Sequence, residues 1–300
     1  MFTKILVCVD GSTCSLAALR TAASIAQHHG AEIVALNVFH PLFAGPAEIG
    51  TWTIAMEQDV IERLAREQKE VIEQSIDPIF ADLNTPHRVI HEIGHPVEVI
   101  LRIAAREKVD LIVVGSRGLR GIKELLLGSV SSGVLHHASC PVLIVRGDYD
   151  PGNAGTFQNI VLASDGSAGA RKAALVAVNM AQKFGTSLTV LNVSVDLSSV
   201  DLPGEEEAQA GDMTASMYAM RQLELVRQSV NEVAKDTGVY CSYIQKSGHP
   251  YEVIARFIED HKPDVIVLGS RGLGGFAQML VGSVSYSVAH HASCPVLVVR

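Results

Sequence analysis

The chain has 300 residues, 48% of them hydrophobic and 19% charged, and a net charge of −8. That length suits about two domains at the usual ~100–200 residues each, and the composition is that of a folded globular protein rather than a disordered one. The acid excess excludes the clustered basic face that nucleic-acid binding needs, and apolar runs such as Leu111-Ile112-Val113-Val114 and Val265-Ile266-Val267-Leu268 are strand-sized, too short for a membrane span.

The N-terminus enters directly into Lys4-Ile5-Leu6-Val7-Cys8-Val9-Asp10, a strand pattern ending in a turn with no apolar signal region before it, so a cytoplasmic location is expected. Further apolar runs follow at 32–38, 88–93, 110–115 and 141–145, separated by helical stretches at about 14–29, 55–83, 97–107 and 129–137. The series then repeats, with strands expected at 158–164, 187–193, 239–246, 264–269 and 295–299 and helices between them. Near-continuous Val/Ile/Leu strands alternating with helices indicate a parallel sheet covered on both faces. The predicted architecture is therefore α/β, with two tandem, doubly wound, five-stranded, Rossmann-like domains at 1–146 and 157–300. Residues 147–156 have linker composition and an r.m.s. reach on the order of 17 Å.

The repeat offset is 155 residues at the front, where position 10 matches 165, and 154 later, where position 115 matches 269. Gly30 and Gly185 fall where left-handed helix caps belong, and Pro96 and Pro250 where a helix starts without losing a hydrogen bond. The segments after the second strands differ most. Residues 40–54 are apolar and contain Trp52, whereas residues 196–212 are acidic and read as a solvated loop around Glu205-Glu206-Glu207. Cys8, Cys14, Cys140, Cys241 and Cys294 contain no C-x-x-C pair and do not suggest a disulfide framework; Cys140 and Cys294, each before a proline, read as small buried residues.

Asp10-Gly11-Ser12 is paired with Gly115-Ser116-Arg117-Gly118, nine residues, then Gly128-Ser129; the second half repeats this as Asp165-Gly166-Ser167 and Gly269-Ser270-Arg271-Gly272, nine residues, Gly282-Ser283. In a doubly wound sheet of order 3-2-1-4-5, strands one and four end side by side at the reversal point, where ligands bind. Glycines there let backbone amides approach anionic oxygens, and Gly128-Ser129 precedes a helix whose N-terminus favours phosphate, with the Ser129 and Ser131 hydroxyls as further donors. Asp10 has three possible jobs: holding a divalent cation, hydrogen-bonding a sugar hydroxyl, or capping the first helix.

Both halves resemble the universal stress protein family, specifically its ATP-binding branch, through the G-x2-G-x9-G-S/T motif, and the match makes the chain similar to a tandem-type member. The resemblance implies an adenine nucleotide alpha hydrolase-like fold. It also implies one ATP site per domain, with Mg²⁺ as the expected companion. In the first half it places the adenine near Cys8, Val9 and Val38, adds Asp10, and sets the phosphates and ribose against Val114, Gly115, Arg117, Gly118, Gly128, Ser129, Val130 and Ser131. The second-half positions are Ala163, Ser164, Asp165, Val193, Leu268, Gly269, Arg271, Gly272, Gly282, Ser283, Val284 and Ser285. It further implies association through the last strands, with 141–145 and 295–299 pairing within the chain, and leaves a homodimer open.

Arg120 and Lys123 in the first loop have no cationic counterparts in Leu273-Gly274-Gly275-Phe276-Ala277-Gln278, so the first site is expected to hold a triphosphate more strongly. The pairs His136-His137 and His290-His291 are read as helix C-terminal residues rather than metal ligands, and His95 and His249 as openers of helices on the far side of the sheet from the site. No Walker lysine, dinucleotide fingerprint or activated nucleophile is present. Three functions stay open: a nucleotide-dependent regulator of stress response acting on a protein partner, with at most weak ATPase activity; a slow ATP hydrolase or phosphotransferase using Asp10 or Asp165; and a nucleotide-independent scaffold.

Overall fold

The computed structural model describes residues 2–41, 58–118, 127–147, 149, 157–194, 205–272 and 280–300. It divides into two units, one of residues 2–155 and one of residues 156–300. The first unit runs β1 (Lys4–Cys8), α1 (Thr13–His29), β2 (Glu32–Phe39), α2 (Gln58–Ala81), β3 (His87–Ile93), α3 (Pro96–Glu107), β4 (Leu111–Gly115), α4 (Ser129–His137) and β5 (Val142–Val145). The second repeats it as β6 (Ile160–Ala163), α5 (Ala168–Phe184), β7 (Leu188–Ser194), α6 (Glu205–Ala234), β8 (Cys241–Ser247), α7 (Pro250–His261), β9 (Val265–Gly269), α8 (Ser283–His291) and β10 (Val296–Val299).

Within the first unit the strands are ordered β3-β2-β1-β4-β5, with parallel pairing throughout; within the second the order is β8-β7-β6-β9-β10. The expected 3-2-1-4-5 order thus holds in both. Ile5, Leu6, Val7, Leu111, Ile112 and Val113 are wholly buried, because helices cover both sheet faces. Strand ends differ from the expected limits by one to a few residues where turns take over: β6 begins at Ile160 rather than 158, since Gln158 and Asn159 donate their amides to Asp264 at 2.7 and 2.8 Å.

Helix ends follow the sequence closely. Ser12 caps α1, its hydroxyl accepting from Ser15 N at 3.2 Å, and Ser167 caps α5 by accepting from Ala170 N at 3.1 Å. Gly30 and Gly185 close these helices in the left-handed region at φ 69° and 66°, as expected of them. One expectation is corrected: residues Glu205-Glu206-Glu207 open α6 instead of lying in a loop, since a run of glutamates has good intrinsic helix propensity. Cys294 is buried, whereas Cys140 is only half-buried. Trp52 and all of the linker except Gly147 and Tyr149 lie outside the described residues.

At the head of each unit, strand and helix backbones meet without room for a side chain. A Cβ on Gly115 would lie 2.8–2.9 Å from Cys14 and Ser15 in the first turn of α1, and one on Gly269 would lie 2.6–2.9 Å from Gly169 and Ala170 in α5. Both contacts are with backbone atoms, which cannot rotate away. Gly115→Ala should therefore destabilise the first unit by ~1–3 kcal/mol, the usual range for overpacking, read as a shift in the urea midpoint with unchanged slope. An unshifted midpoint would mean that the α1 to β4 contact is looser than described.

Candidate functional site

The expected juxtaposition of strand ends is present in both units. Asp10 follows β1, and its Oδ1 accepts from Ser12 N at 3.0 Å and Ser12 Oγ at 2.6 Å. Asp165 Oδ1 likewise accepts from Ser167 N at 3.0 Å. Capping the helix is thus the work of the serine, while the aspartate braces the turn. On the other side of the crevice, a Cβ on Gly118 would lie 2.5 Å from Asp10 Oδ2, and one on Gly272 would lie 2.5 Å from Asp165 Oδ2. Ser12 and Ser167 also reach the carbonyls of Arg117 and Arg271, each at 3.4 Å. At Gly115 and Gly118 the reason for glycine is space, since neither is among the positive-φ residues, whereas a Cβ on Gly128 would meet nothing nearer than Ser116 O at 3.4 Å.

The loop returns to its helix through main-chain bonds. Gly128 N donates to Ser116 O at 2.8 Å and Gly282 N to Ser270 O at 2.7 Å. Neither Gly128 nor Gly282, the N-caps of α4 and α8, supplies a side-chain cap to the first-turn amides. The Ser131 hydroxyl is not available in the manner expected of it. It donates to the carbonyls of Ser116 and Gly128 at 3.1 and 3.0 Å and is buried, as Ser285 Oγ is on Gly269 O at 2.6 Å. Ser131 fastens α4 to the loop and Ser285 fastens α8 to the end of β9, leaving Ser129 and Ser283 as the hydroxyls at the first helical position.

In the second unit these elements enclose a cleft of about 310 Å³, within the ~300–1,000 Å³ range of ligand pockets. All of the second-unit positions implied by the resemblance line it: Ala163, Ser164, Asp165, Val193, Leu268, Gly269, Arg271, Gly272, Gly282, Ser283, Val284 and Ser285. In the first unit the matching positions sit on the matching elements: Cys8 ends β1, with Val9 and Asp10 in the following turn; Val38 is in β2; Val114 and Gly115 end β4; and Ser129, Val130 and Ser131 open α4. Burial and the neighbouring Asp10 carboxylate push the Cys8 thiol well above its ordinary range, so it stays protonated as a packing residue. Arg120 and Lys123 lie outside the described residues.

The cleft also takes residues that the sequence reading missed, including Leu191, Gln222, Pro250 and Ile254. The last two correct the expectation for His249, because α7, the helix it opens, lines the cleft. In a parallel sheet every strand-to-helix connection emerges at the same carboxyl edge, so α7 starts beside the site. His136, His137 and His291 spend a ring nitrogen on carbonyls one turn back, each at 2.9 Å.

A buried asparagine ties the turn after the first strand of each unit to the sheet. Asn37 Nδ2 donates to Val9 O at 2.9 Å, and Asn192 Nδ2 to Ser164 O at 2.9 Å. Behind Asn192, Gln245 Nε2 donates to its Oδ1 at 3.1 Å; behind Asn37 the matching residue is His91, whose Nδ1 lies 3.5 Å from Asn37 Oδ1. His91 Nε2 is 3.3 Å from Glu73, an ion-pair distance without hydrogen-bond geometry. Burial holds the His91 pKa below its ordinary 6.5, with Lys69 adding to that effect and Glu73 opposing it. Folding therefore favours the neutral ring. As pH falls through 6.5 the unfolded chain takes up the proton first, and the folded state loses stability. Replacing His91 with the glutamine of the other unit should reduce the fall in thermal midpoint between about pH 7.5 and pH 5.5; an identical fall in His91→Gln protein would remove His91 from the account.

A model of the Universal stress protein family matches residues 1–146 and again residues 156–300. A universal stress protein of Mycolicibacterium smegmatis is 30% identical over 99% of this chain and 96% of its own length. The solved structure of a universal stress protein from Archaeoglobus fulgidus covers 99% of this chain and 96% of its own at 26% identity, with a TM-score of 0.70. A universal stress protein solved in complex with cAMP is 26% identical over 49% of this chain and 98% of its own, with a TM-score of 0.33.

Proposed function

Given that the chain belongs to the universal stress protein family, we propose that each unit binds one ATP-type nucleotide at the crevice between the Asp-Gly-Ser turn and the Gly-Ser-Arg-Gly turn. The observation that carries this reading is the second-unit cleft, in which an apolar wall and a glycine-lined helix start belong to one cavity of nucleotide size. Leu191, Val193, Pro250 and Ile254 offer a surface for a flat base, while Gly282 and Ser283 offer amides and a hydroxyl to phosphate. Asp165, set against Gly272, is the carboxylate that would hold a Mg²⁺ accompanying the nucleotide, since Mg²⁺ is usually held by one or two carboxylates together with the substrate's phosphates. Asp10 has the same position against Gly118 in the first unit.

Among the described residues lining the cleft, Asp165 is the one carboxylate and there is no histidine or lysine beside it, which favours binding over turnover. We therefore assign the protein a regulatory role, in which nucleotide occupancy at the crevice alters the surface offered to a protein partner during stress. A cytoplasmic setting agrees with five cysteines that form no disulfide. Among the described residues no helix is long and apolar enough to cross a membrane.

Titration calorimetry with Mg²⁺ and ATP should give one nucleotide per unit. Asp165→Ala should weaken the second site about tenfold or more, ~1.4 kcal/mol, and the effect should shrink when Mg²⁺ is withheld. Absence of binding to the unaltered chain would reject the nucleotide reading. Sustained release of phosphate that disappears in the Asp10→Ala, Asp165→Ala double variant would replace the regulator with a slow hydrolase.

A further inference from the structure

β3 is the outer strand of the first unit, and among the described residues it pairs with β2 alone. Its seven residues, His87-Arg88-Val89-Ile90-His91-Glu92-Ile93, keep an unbroken register and contain no proline or bulge, the usual devices that stop an edge from pairing. Which groups face outward follows from the ladder. Ile33 N donates to Pro86 O at 2.9 Å and Gly94 N to Phe39 O at 3.0 Å, so the even-numbered residues turn their main-chain groups to β2. His87, Val89, His91 and Ile93 therefore present N–H and C=O groups on the outer side.

We propose that β3 pairs antiparallel with β3 of a second copy of this chain, about a two-fold axis through Ile90. A two-fold axis sets identical edges antiparallel, and outward groups must oppose outward groups. Centring the pair on Ile90 satisfies both conditions and engages the whole strand, with His87 opposite the partner's Ile93 and Val89 opposite the partner's His91. The same register sets Arg88 against the partner's Glu92 on the α3 side. Arg88 is 3.0 Å from Glu32 and also pairs with Glu107, while Glu92 is 3.2 Å from Arg102 and 3.6 Å from Arg106. Charges then alternate across the joint, from Glu107 to Arg88, to the partner's Glu92 and to the partner's Arg102. On the α2 side Ile93, which is 46% exposed, gains cover from the partner's His87, a ring that stacks on Phe80 at 4.4 Å.

β8, the outer strand of the second unit, does not offer this. Its groups alternate in the same way, since Leu188 N donates to Tyr240 O at 2.9 Å and Gly248 N to Ser194 O at 3.0 Å. Pairing β8 with itself about Ile244 would set Ser242 against Lys246, and pairing it end to end with β3 would set Lys246 against Arg88, two like charges. The occupant that the charges select is another β3.

Sedimentation velocity of the full chain without nucleotide should show a dimer at micromolar concentration. Ile90→Cys should become a covalent dimer under mild oxidation, because residues in a non-hydrogen-bonded antiparallel pair stand about 4.5 Å apart at Cα, within reach of a disulfide. Arg88→Cys, which faces the partner's Glu92, should crosslink no more than the unaltered chain. Val89→Pro removes an outward N–H and leaves the ladder to β2 whole, so the dissociation constant should rise about tenfold or more; its thermal midpoint establishes that it folds, and the cysteine pair decides if it does not. A monomeric unaltered chain, an Ile90→Cys that crosslinks no better than Arg88→Cys, or a folded Val89→Pro that dimerises as before overturns the proposal. None of these outcomes bears on the nucleotide reading, which the pairing does not use.

Discussion

Where β4 ends, the chain comes so close to the first turn of α1 that only a hydrogen fits between them, and the same is true of β9 and α5. The rest of the site depends on this approach. It brings the Asp-Gly-Ser turn and the Gly-Ser-Arg-Gly turn within contact across the crevice, so that Gly118 abuts the Asp10 carboxylate and Gly272 that of Asp165. With the loop held there, Gly128 and Gly282 can bond back to Ser116 and Ser270, and the helices that follow begin at the mouth of the crevice. A parallel sheet supplies the direction, because its strands all end at one edge; the glycines supply the proximity.

Two copies in one chain separate what this geometry demands from what it tolerates. Gly115, Gly118 and Gly128 have glycine counterparts, and Asp10, Ser12, Asn37 and Ser131 have identical ones. Positions a little further back vary: Cys14 pairs with Gly169, Ile72 with Val226, Cys8 with Ala163 and His91 with Gln245. These second residues fill space or supply one hydrogen bond, and more than one side chain can do either. His91 and Gln245 make the point sharply, since both stand behind a buried asparagine and only one of them is ionisable.

The sequence made the fold and much of the site legible through repetition. Wholly apolar strands separated by amphipathic helices leave few alternatives to a doubly wound sheet, and the glycine spacing fell on residues that line a single cleft in the second unit. What escaped was whatever depends on the third dimension. The motif serines look alike on paper, yet Ser131 and Ser285 turn inward to carbonyls while Ser129 and Ser283 open their helices. Pro250 and Ile254 lie far along the chain from the glycines, and they join the cleft because α7 starts at the shared edge of the sheet.

The polar groups around the crevice divide by whether the protein already uses them. Asn37 and Asn192 are committed to main-chain carbonyls, Ser131 to the loop and Ser285 to the end of β9, and one oxygen of each aspartate to its turn. These bonds fix the backbone before any ligand arrives, which lowers the entropy a ligand must overcome on binding. The crevice is therefore ordered by contacts internal to each unit, and a ligand that enters it does not have to order the turns.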